Sequence, residues 1–332
     1  MHFFVTGHTG FKGSWLIALL KSKGHEVSGY SLAAVEGGLF DLAQLDQDLK
    51  HHTIADIRDL ESLSLALAEA KPDVVMHLAA QPLVLRSYED PVETYTTNVN
   101  GTLNLLQAVT RLSSSPTTLE ITTDKVYRDT GKGLYSEDDA LGGHDPYSSS
   151  KAMADIMTQS WAATHPSLRL HIARAGNVIG AFDVSRDRLI PDLVRSLEQK
   201  KPLIIRHPEA VRPWQHVLDC LNGYLRFIDA IEVGQVLPVA LNFGPDPDGM
   251  KSVTDVLTVA SAAFPELQFE RIETLELKET RLLTLNAELA HGNLDWRNQI
   301  GFEQAVLMSF VAFGQEWRER LYLEIDNFLN VT

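Results

Sequence analysis

Residues 2–13 read His-Phe-Phe-Val-Thr-Gly-His-Thr-Gly-Phe-Lys-Gly, and this stretch decides the fold. It opens with a short β-rich apolar run, which is typical of a buried strand. Gly7, Gly10 and Gly13 follow at the spacing G-x-x-G-x-x-G, and a helical pattern begins near Ser14. Strand, glycine turn and helix in this order predict a βα unit whose backbone can approach a pyrophosphate at the helix N-terminus.

The rest of the chain alternates between strand and helix patterns. We expect strands at residues 26–31, 52–59, 72–81, 119–127 and 168–174, and helices at residues 60–70, 91–112 and 147–164. This alternation predicts an α/β protein with a Rossmann-like doubly wound parallel sheet. We expect residues 1–176, with returning segments at about 212–243, to form that domain. Residues 177–211 and 244–332 are expected to form a smaller C-terminal substrate-binding α/β domain.

Composition narrows the classes of partner. The 332 residues carry a formal net charge of −15, which argues against nucleic acid or an anionic membrane as a partner. Cys220 is the single cysteine, so no intramolecular disulfide and no thiolate metal site are expected, and a reducing compartment is favoured. We expect no metal, no membrane span and no signal peptide, and we expect a cytoplasmic location.

The sequence Tyr147-Ser-Ser-Ser-Lys151 has the pattern Y-x-x-x-K at the start of a predicted helix. Residues four apart share a helix face, so the phenol and the ammonium ion are expected to lie together. A tyrosine has a reference pKa near ~10, and a fixed cation beside it lowers that pKa. The pattern therefore predicts a tyrosine base, although it also occurs by chance at helix starts.

A second polar cluster, Thr123-Asp124-Lys125, follows the strand predicted at residues 119–127. Ligands of open parallel sheets bind at the carboxyl ends of the strands, so these three residues are catalytic candidates. The alternative is a surface ion pair at a strand end.

The second strand ends in Tyr30-Ser31-Leu32, without the acid that often binds a ribose. Ser31 is the candidate contact there. No arginine lies between residues 24 and 50 to meet a 2′-phosphate, which disfavours NADP. Asp56 is either a contact for the adenine end of a cofactor or a helix N-cap. Ala79 and Ala80 end the fourth strand, where larger side chains would block a cofactor.

With the glycine turn and Y-x-x-x-K in place, the chain resembles the extended short-chain dehydrogenase/reductases, within the NAD-dependent epimerase/dehydratase family. Ala-Arg-Ala-Gly-Asn-Val-Ile-Gly at residues 173–180 and Arg-Pro-Trp-Gln-His-Val at 212–217, with Asp219, are similar to the sugar-nucleotide binding segments of that family. Thr-Asp-Lys at residues 123–125 resembles the 4,6-dehydratase branch that acts on CDP-glucose, whereas related dehydratases carry Thr-Asp-Glu. His144 and the loop at residues 128–135 depart from that branch.

The resemblance implies NAD as cofactor and a nucleotide-diphosphate sugar as substrate. It implies a hydro-lyase that converts CDP-glucose to CDP-4-keto-6-deoxyglucose by internal hydride transfer. Tyr147 would be the base at the 4-hydroxyl, assisted by Lys151, with Thr123 bonded to the 4-oxygen. Asp124 and Lys125 would be the acid and base of the elimination, and the sequence leaves open which residue plays which role.

The resemblance also implies the binding residues. Those expected at the cofactor are Gly7, Thr9, Gly10, Phe11, Gly13, Ser31, Asp56, Ile57, Ala79, Ala80, Asn98, Thr122, Tyr147 and Lys151. Those expected at the substrate are Gln81, Arg86, Asn177, Arg188, Arg212 and Asn242. A homodimer or tetramer built on paired helices, including the helix of Tyr147, is also implied.

Two other functions remain compatible with the sequence. One is a nucleotide-sugar 4-epimerase, or a 4,6-dehydratase of a dTDP-, UDP- or GDP-linked sugar. The other is a non-catalytic dinucleotide sensor on the same fold. An epimerase has no use for an acid/base pair at residues 124 and 125, and a sensor has no use for Tyr147 and Lys151.

Overall fold

The computed structural model describes residues 1–205, 207–246, 249–271, 284–310 and 316–331. The strands are β1 (His2–Thr6), β2 (Glu26–Ser31), β3 (His51–Ile54), β4 (Val74–His77), β5 (Thr117–Thr123), β6 (Leu134–Tyr135), β7 (Leu170–Ala175), β8 (Val178–Ile179), β9 (Leu203–Ile205), β10 (Val211–Pro213), β11 (Gln215–His216), β12 (Ala240–Phe243), β13 (Met250–Ser252), β14 (Phe269–Arg271) and β15 (Thr284–Leu285). The α-helices are α1 (Phe11–Ser22), α2 (Leu39–Leu42), α3 (Leu60–Ala70), α4 (Val84–Glu89), α5 (Pro91–Tyr95), α6 (Gly101–Thr110), α7 (Pro146–Thr164), α8 (Leu189–Gln199), α9 (Val217–Glu232), α10 (Val253–Ala263), α11 (Glu288–Leu294), α12 (Phe302–Ser309) and α13 (Trp317–Leu329).

A seven-stranded sheet with the order β12-β7-β5-β4-β1-β2-β3 forms the centre of the described structure. All of its neighbouring strands pair in parallel. The predicted doubly wound α/β fold is therefore confirmed. The strand order reverses between β1 and β4, and ligands of such sheets bind in the crevice at this reversal.

The helix predicted at residues 91–112 is interrupted. It consists of α5, a π-helical turn at Thr96–Asn100 and α6. Such π-helical turns occur mostly as single turns near functional sites. This one carries Asn98, whose side chain points at the loop after β4.

The described residues form four apolar cores, and the two largest lie in different parts of the chain. The larger core covers the sheet and includes α1, whose residues from Gly13 to Leu20 are all buried. The smaller core is formed by side chains of α8, α10 and α12, such as Leu193, Val256 and Val306. Helix α13 belongs to the range expected for the smaller domain, yet Leu321 and Ile325 pack into the larger core.

Among the residues that the structure describes, no helix is both long and apolar enough to span a membrane.

Candidate active site

The glycine turn after β1 makes a tight cradle at the strand reversal. Gly7 has a φ of +73°, and a Cβ on it would lie 2.7 Å from the amide nitrogen of Ala79. A Cβ on Gly13 would lie 2.2 Å from the carbonyl oxygen of Gly7. Helix α1 starts at Phe11 with Gly10 as its N-cap, so its first N–H groups face the turn without a capping side chain. The residues present therefore fit the pyrophosphate of a dinucleotide.

Two predicted cofactor residues meet beside this turn. The hydroxyls of Thr9 and Ser31 are 2.8 Å apart, and Thr9 also donates to the carbonyl oxygen of Leu32 at 2.9 Å. Asp56 is not a helix N-cap, because Asp59 caps α3. The carboxylate of Asp56 instead accepts hydrogen bonds from the Arg58 guanidinium at 2.9 and 3.0 Å. This ion pair lowers the pKa of Asp56.

The end of β5 places Thr123 and Asp124 in a buried position. The Thr123 hydroxyl donates to Asp124 Oδ1 at 2.8 Å. Burial raises the pKa of Asp124, and the neighbouring Lys125, Thr123 and Arg212 oppose that shift. A carboxyl group with a raised pKa can hold a proton and act as a general acid.

Tyr147 begins α7, and the sequence fixes that start. Asp145 caps the helix by accepting from the amide of Ser148 at 2.9 Å, and Pro146 occupies the first turn. Burial raises the pKa of Tyr147 to about 12, and the Thr123 hydroxyl and the charge of Arg188 oppose the shift. Burial thus opposes the acidified phenol that the sequence predicts, and the low phenol pKa stays a prediction.

The Lys151 ammonium ion binds on the sheet side of α7. It donates to the carbonyl oxygen of Ile121 at 2.8 Å and to Glu120 Oε1 at 3.3 Å. The predicted neighbourhood of Lys151 and Tyr147 along the helix is present, but the cation is held by β5. Lys151, which is expected to assist the phenol and to contact the cofactor, is thus also paired with Glu120, and both expected roles stay predictions.

A buried ion pair ties α7 to β7 behind the site. Arg174 donates to both carboxylate oxygens of Asp155 at 2.8 Å, and both side chains are almost fully buried. Thr122 donates to the same carboxylate at 3.0 Å, and Arg174 donates to the Tyr127 hydroxyl at 2.9 Å. The hydroxyl of Thr122, expected at the cofactor, is therefore engaged in this frame.

Four further residues that are predicted at the cofactor or the substrate have partners within the protein, and their contacts with ligands stay predictions. Asn242 is fully buried; its amide oxygen accepts from the Tyr127 hydroxyl, and its amide nitrogen donates to two main-chain carbonyl oxygens. The Gln81 amide group donates to the Thr94 hydroxyl and forms hydrogen bonds with both the main-chain N–H and the carbonyl group of Leu83. The Asn98 amide group closes the loop after β4 by bonding the main chain of Gln81 and Ser150 Oγ, and the Ile57 side chain packs in a core. The three amide side chains stabilise the surrounding loops, because buried amides need partners.

The three arginines expected at the substrate lie in different places. Arg86 is exposed and pairs with Glu93 at 2.7 Å. Arg188 lies close enough to the site for its positive charge to favour a lower pKa of both Tyr147 and Lys12. The positive charge of Arg212 in β10 favours a lower pKa of Asp124 in the same way. Asn177 is exposed just after β7, and its carbonyl oxygen accepts from the Gln215 amide at 3.1 Å.

Two charged residues of the site were missed by sequence reasoning. Lys12 donates to the Tyr224 hydroxyl at 3.3 Å and lies among Arg188, Asp124 and Lys151, and burial lowers its pKa. A lysine inside the glycine turn was the signal that pointed to it. Glu120 is the other, and the one charged residue of a buried strand was its signal.

Comparisons with known proteins agree with this geometry. A sequence model of the NAD dependent epimerase/dehydratase family matches residues 3–240. The CDP-glucose 4,6-dehydratase of Salmonella typhimurium is 44% identical over 262 residues, which are 75% of this chain and 72% of the relative. The dTDP-glucose 4,6-dehydratase of Xanthomonas campestris pv. campestris is 30% identical over 249 residues, which are 72% of this chain and 70% of the relative.

A solved structure is also similar to this chain. The dTDP-glucose 4,6-dehydratase of Bacillus anthracis, in complex with NAD, has a TM-score of 0.80 at 25% identity and covers 97% of this chain and 99% of that chain. The family match extends over the glycine turn, the end of β5 and the helix of Tyr147. This chain therefore belongs to the NAD dependent epimerase/dehydratase family.

Proposed function

We propose that the chain is a hydro-lyase that converts CDP-glucose to CDP-4-keto-6-deoxyglucose with bound NAD. One observation carries this function beyond the family. The Thr123 hydroxyl bonds Asp124 at 2.8 Å and also acts on the Tyr147 phenol, so a base and an acid share one hydroxyl. An epimerase needs only the base. The acid is needed when a hydroxyl group must leave the sugar.

The cofactor would be held by the glycine turn, the N-terminus of α1 and the Thr9–Ser31 pair. Bound NAD would supply the hydride acceptor for C4 of the hexose and the hydride donor for C6. Tyr147 takes the proton of the 4-hydroxyl as general base. Thr123 orients the 4-oxygen toward the phenol. Lys151 stabilises the phenolate through its positive charge.

The elimination then falls to the residues that follow Thr123. A ketone at C4 acidifies the hydrogen at C5, so a base must take that proton. We assign this step to Lys125. We assign Asp124 to donate a proton to the 6-hydroxyl as it leaves, because burial raises the pKa of Asp124 and keeps it protonated to higher pH. The sequence left these two roles open.

The substrate would lie between the larger and the smaller core. Arg188 and Arg212 carry guanidinium groups that match phosphate oxygens in two-point contacts. Asn177 follows the end of β7 and is exposed toward solvent. We propose that these three residues bind the diphosphate and sugar, and that residues 177–211 and much of 244–332 form the substrate-binding part.

A panel of glucose nucleotides tests this function. Purified protein with NAD is incubated separately with CDP-, dTDP-, UDP- and GDP-glucose, and the products are identified by mass spectrometry and NMR. We expect loss of water from CDP-glucose at the highest kcat/KM. A sugar inverted at C4 with no loss of water would identify an epimerase. Dehydration of another nucleotide sugar in preference to CDP-glucose would refute the nucleotide assignment.

We further propose a homo-oligomer that pairs α6 and α7, and a cytoplasmic location. Leu103 on α6 is 39% exposed, and Met153 and Ile156 on α7 are 48% and 51% exposed. Apolar side chains at this helical spacing favour a covered face. Met153→Glu with Ile156→Glu should lower the mass measured by light scattering. An unchanged mass would refute this interface.

The proposed cytoplasmic location is supported by the lone buried Cys220, which favours a reducing compartment.

A further inference from the structure

A buried acid lies under the helix that carries Tyr147, and the proposed mechanism gives it no role. Glu120 stands in the middle of β5, and its side chain is 2% exposed. Lys151 donates to Glu120 Oε1 at 3.3 Å and to the carbonyl oxygen of Ile121 at 2.8 Å. The ammonium ion is thus held on the sheet side by one carboxylate and one carbonyl group.

The neighbouring His77 does not balance the charge of Glu120. Thr6 Oγ1 accepts a main-chain N–H at 3.2 Å, so its own proton is free to bond His77 Nδ1 at 2.7 Å. The Thr102 hydroxyl donates to a main-chain carbonyl at 2.8 Å, so it accepts from His77 Nε2–H at 3.1 Å. These bonds define a neutral imidazole. Burial also lowers the pKa of His77 to about 3.

The remaining charged neighbour of Glu120 is already neutralised. Asp155 lies one turn beyond Lys151 on α7, and its negative charge raises the pKa of Glu120. Arg174, however, binds both carboxylate oxygens of Asp155 at 2.8 Å. Lys151 is therefore the cation that balances Glu120 among the groups described around it. Burial raises the pKa of Glu120 to about 7, and Lys151 opposes that shift. Lys12 is the further cation that faces Lys151 across the site.

We propose that Glu120 is a positioning residue whose carboxylate competes with the Tyr147 phenol for the ammonium ion of Lys151. This inference rests on the proposed function, in which Tyr147 is the base. While Glu120 is ionised, the charge of Lys151 is balanced beneath β5 and favours the phenolate less. When Glu120 is neutral, that charge acts on Tyr147 in full. Neutralising Glu120 therefore lowers the pKa of Tyr147, because it removes a negative charge that competes for the same cation.

The test is Glu120→Gln, which keeps the size of the side chain and removes its charge. The limb of kcat/KM that rises with pH reports the ionisation of the base in the free holoenzyme. We expect this limb to move to lower pH by about one unit, because a charge is removed near the cation in a buried site. Glu120→Asp draws the carboxylate back from Lys151 and should move the limb the same way by less.

Glu324→Gln is the matched control. Burial raises the pKa of Glu324 to about 7 as well, but this carboxyl group lies on α13, 3.6 Å from His216 Nε2. The same substitution there should leave the rising limb in place. A role of Glu120 in folding alone would lower activity equally at every pH, so an unmoved limb in Glu120→Gln overturns the proposal. A limb that moves to higher pH overturns it too.

A second readout needs no turnover. Tyrosine ionisation is titrated by ultraviolet difference spectra of the NAD-loaded protein, and the signal of Tyr147 is isolated by subtracting the Tyr147→Phe variant. The pKa of Tyr147 should be lower in Glu120→Gln than in the unchanged chain, and an equal or higher value contradicts the inference. If no nucleotide sugar were dehydrated, the proposed function would fail, while this titration would still decide the role of Glu120.

Discussion

Thr123 Oγ1 donates a hydrogen bond of 2.8 Å to Asp124 Oδ1 at the buried end of β5. The phenol of Tyr147 lies on the facing helix α7, and the same Thr123 hydroxyl favours a lower pKa of this phenol. Two elements that are distant in sequence thus bring a phenol and a carboxyl group to one hydroxyl. Successive proton transfers at C4 and C6 of one hexose need such an arrangement, because both groups must reach the same sugar ring.

Asp124→Asn should lower kcat by about 10²- to 10⁴-fold, because the general acid is lost while the fold is kept. The unchanged enzyme should lose activity as pH rises through the raised pKa of Asp124, since only the protonated form donates. Steady-state kinetics across pH measures both effects. Asp219→Asn is the control, because Asp219 is also buried with a pKa raised to about 6 but binds the amides of Gln299 and Ile300. An Asp124→Asn enzyme as fast as the control would remove Asp124 from the mechanism.

Arg188→Met should raise KM for the nucleotide sugar by about 10- to 100-fold, because a charge-assisted phosphate contact is worth about 1.5–3 kcal/mol. Arg86→Met is the matched change at an exposed arginine that pairs with Glu93 at 2.7 Å. It should leave KM close to that of the unchanged chain. Initial rates at varied substrate concentration separate the two variants, and equal values of KM would show that Arg188 does not bind substrate.

Arg174→Met should destabilise the protein by about 3–5 kcal/mol, because it leaves the buried carboxylate of Asp155 without a cationic partner. The hydrogen bonds of Arg174 to Asp155 at 2.8 Å and to Tyr127 at 2.9 Å are lost together. Urea unfolding measures the change. The double variant Arg174→Met with Asp155→Leu should recover part of the loss. If the single variant lost less than the double variant, the charge of Asp155 would not be the cause.

Glu324→Gln should change how stability depends on pH. Burial raises the pKa of Glu324 from 4.5 to about 7 in the folded chain. The folded state therefore holds this proton longer than the unfolded state. The resulting stability is complete below 4.5 and is lost as pH rises to about 7.

The variant lacks this loss, so its advantage over the unchanged chain should grow by up to about 3 kcal/mol between about pH 5 and about pH 8. Urea unfolding at both pH values tests this. A difference that stays constant with pH would mean that Glu324 titrates normally in the folded protein.

The sheet was predictable because its signals are local. Each strand and helix carries its own periodicity, and the turn with Gly7 and Gly13 links the first pair. The position of Thr123 and Asp124 was predictable as well, since parallel strands present their carboxyl ends at one edge. The break in the helix at residues 96–100 was not, because no proline or glycine precedes it within the turn.

The partners of polar side chains could not be predicted. Asn242 has the residue type of a binding site, yet its amide donates to the main-chain carbonyl oxygen of Tyr135, 107 residues away in sequence. Lys151 follows the Y-x-x-x-K pattern, but its partner Glu120 is 31 residues distant along the chain. Such pairings depend on the packing of α7 on β5, which no local pattern describes.

The most direct test of the account follows a deuterium label through the reaction. CDP-glucose with deuterium at C4 is converted by the NAD-loaded protein, and the product is examined by NMR and mass spectrometry. We predict CDP-4-keto-6-deoxyglucose with the deuterium in its C6 methyl group, because Tyr147 starts the oxidation at C4 and the hydride returns within the same site. A product that has kept deuterium at C4, or a keto sugar without deuterium at C6, would contradict the account.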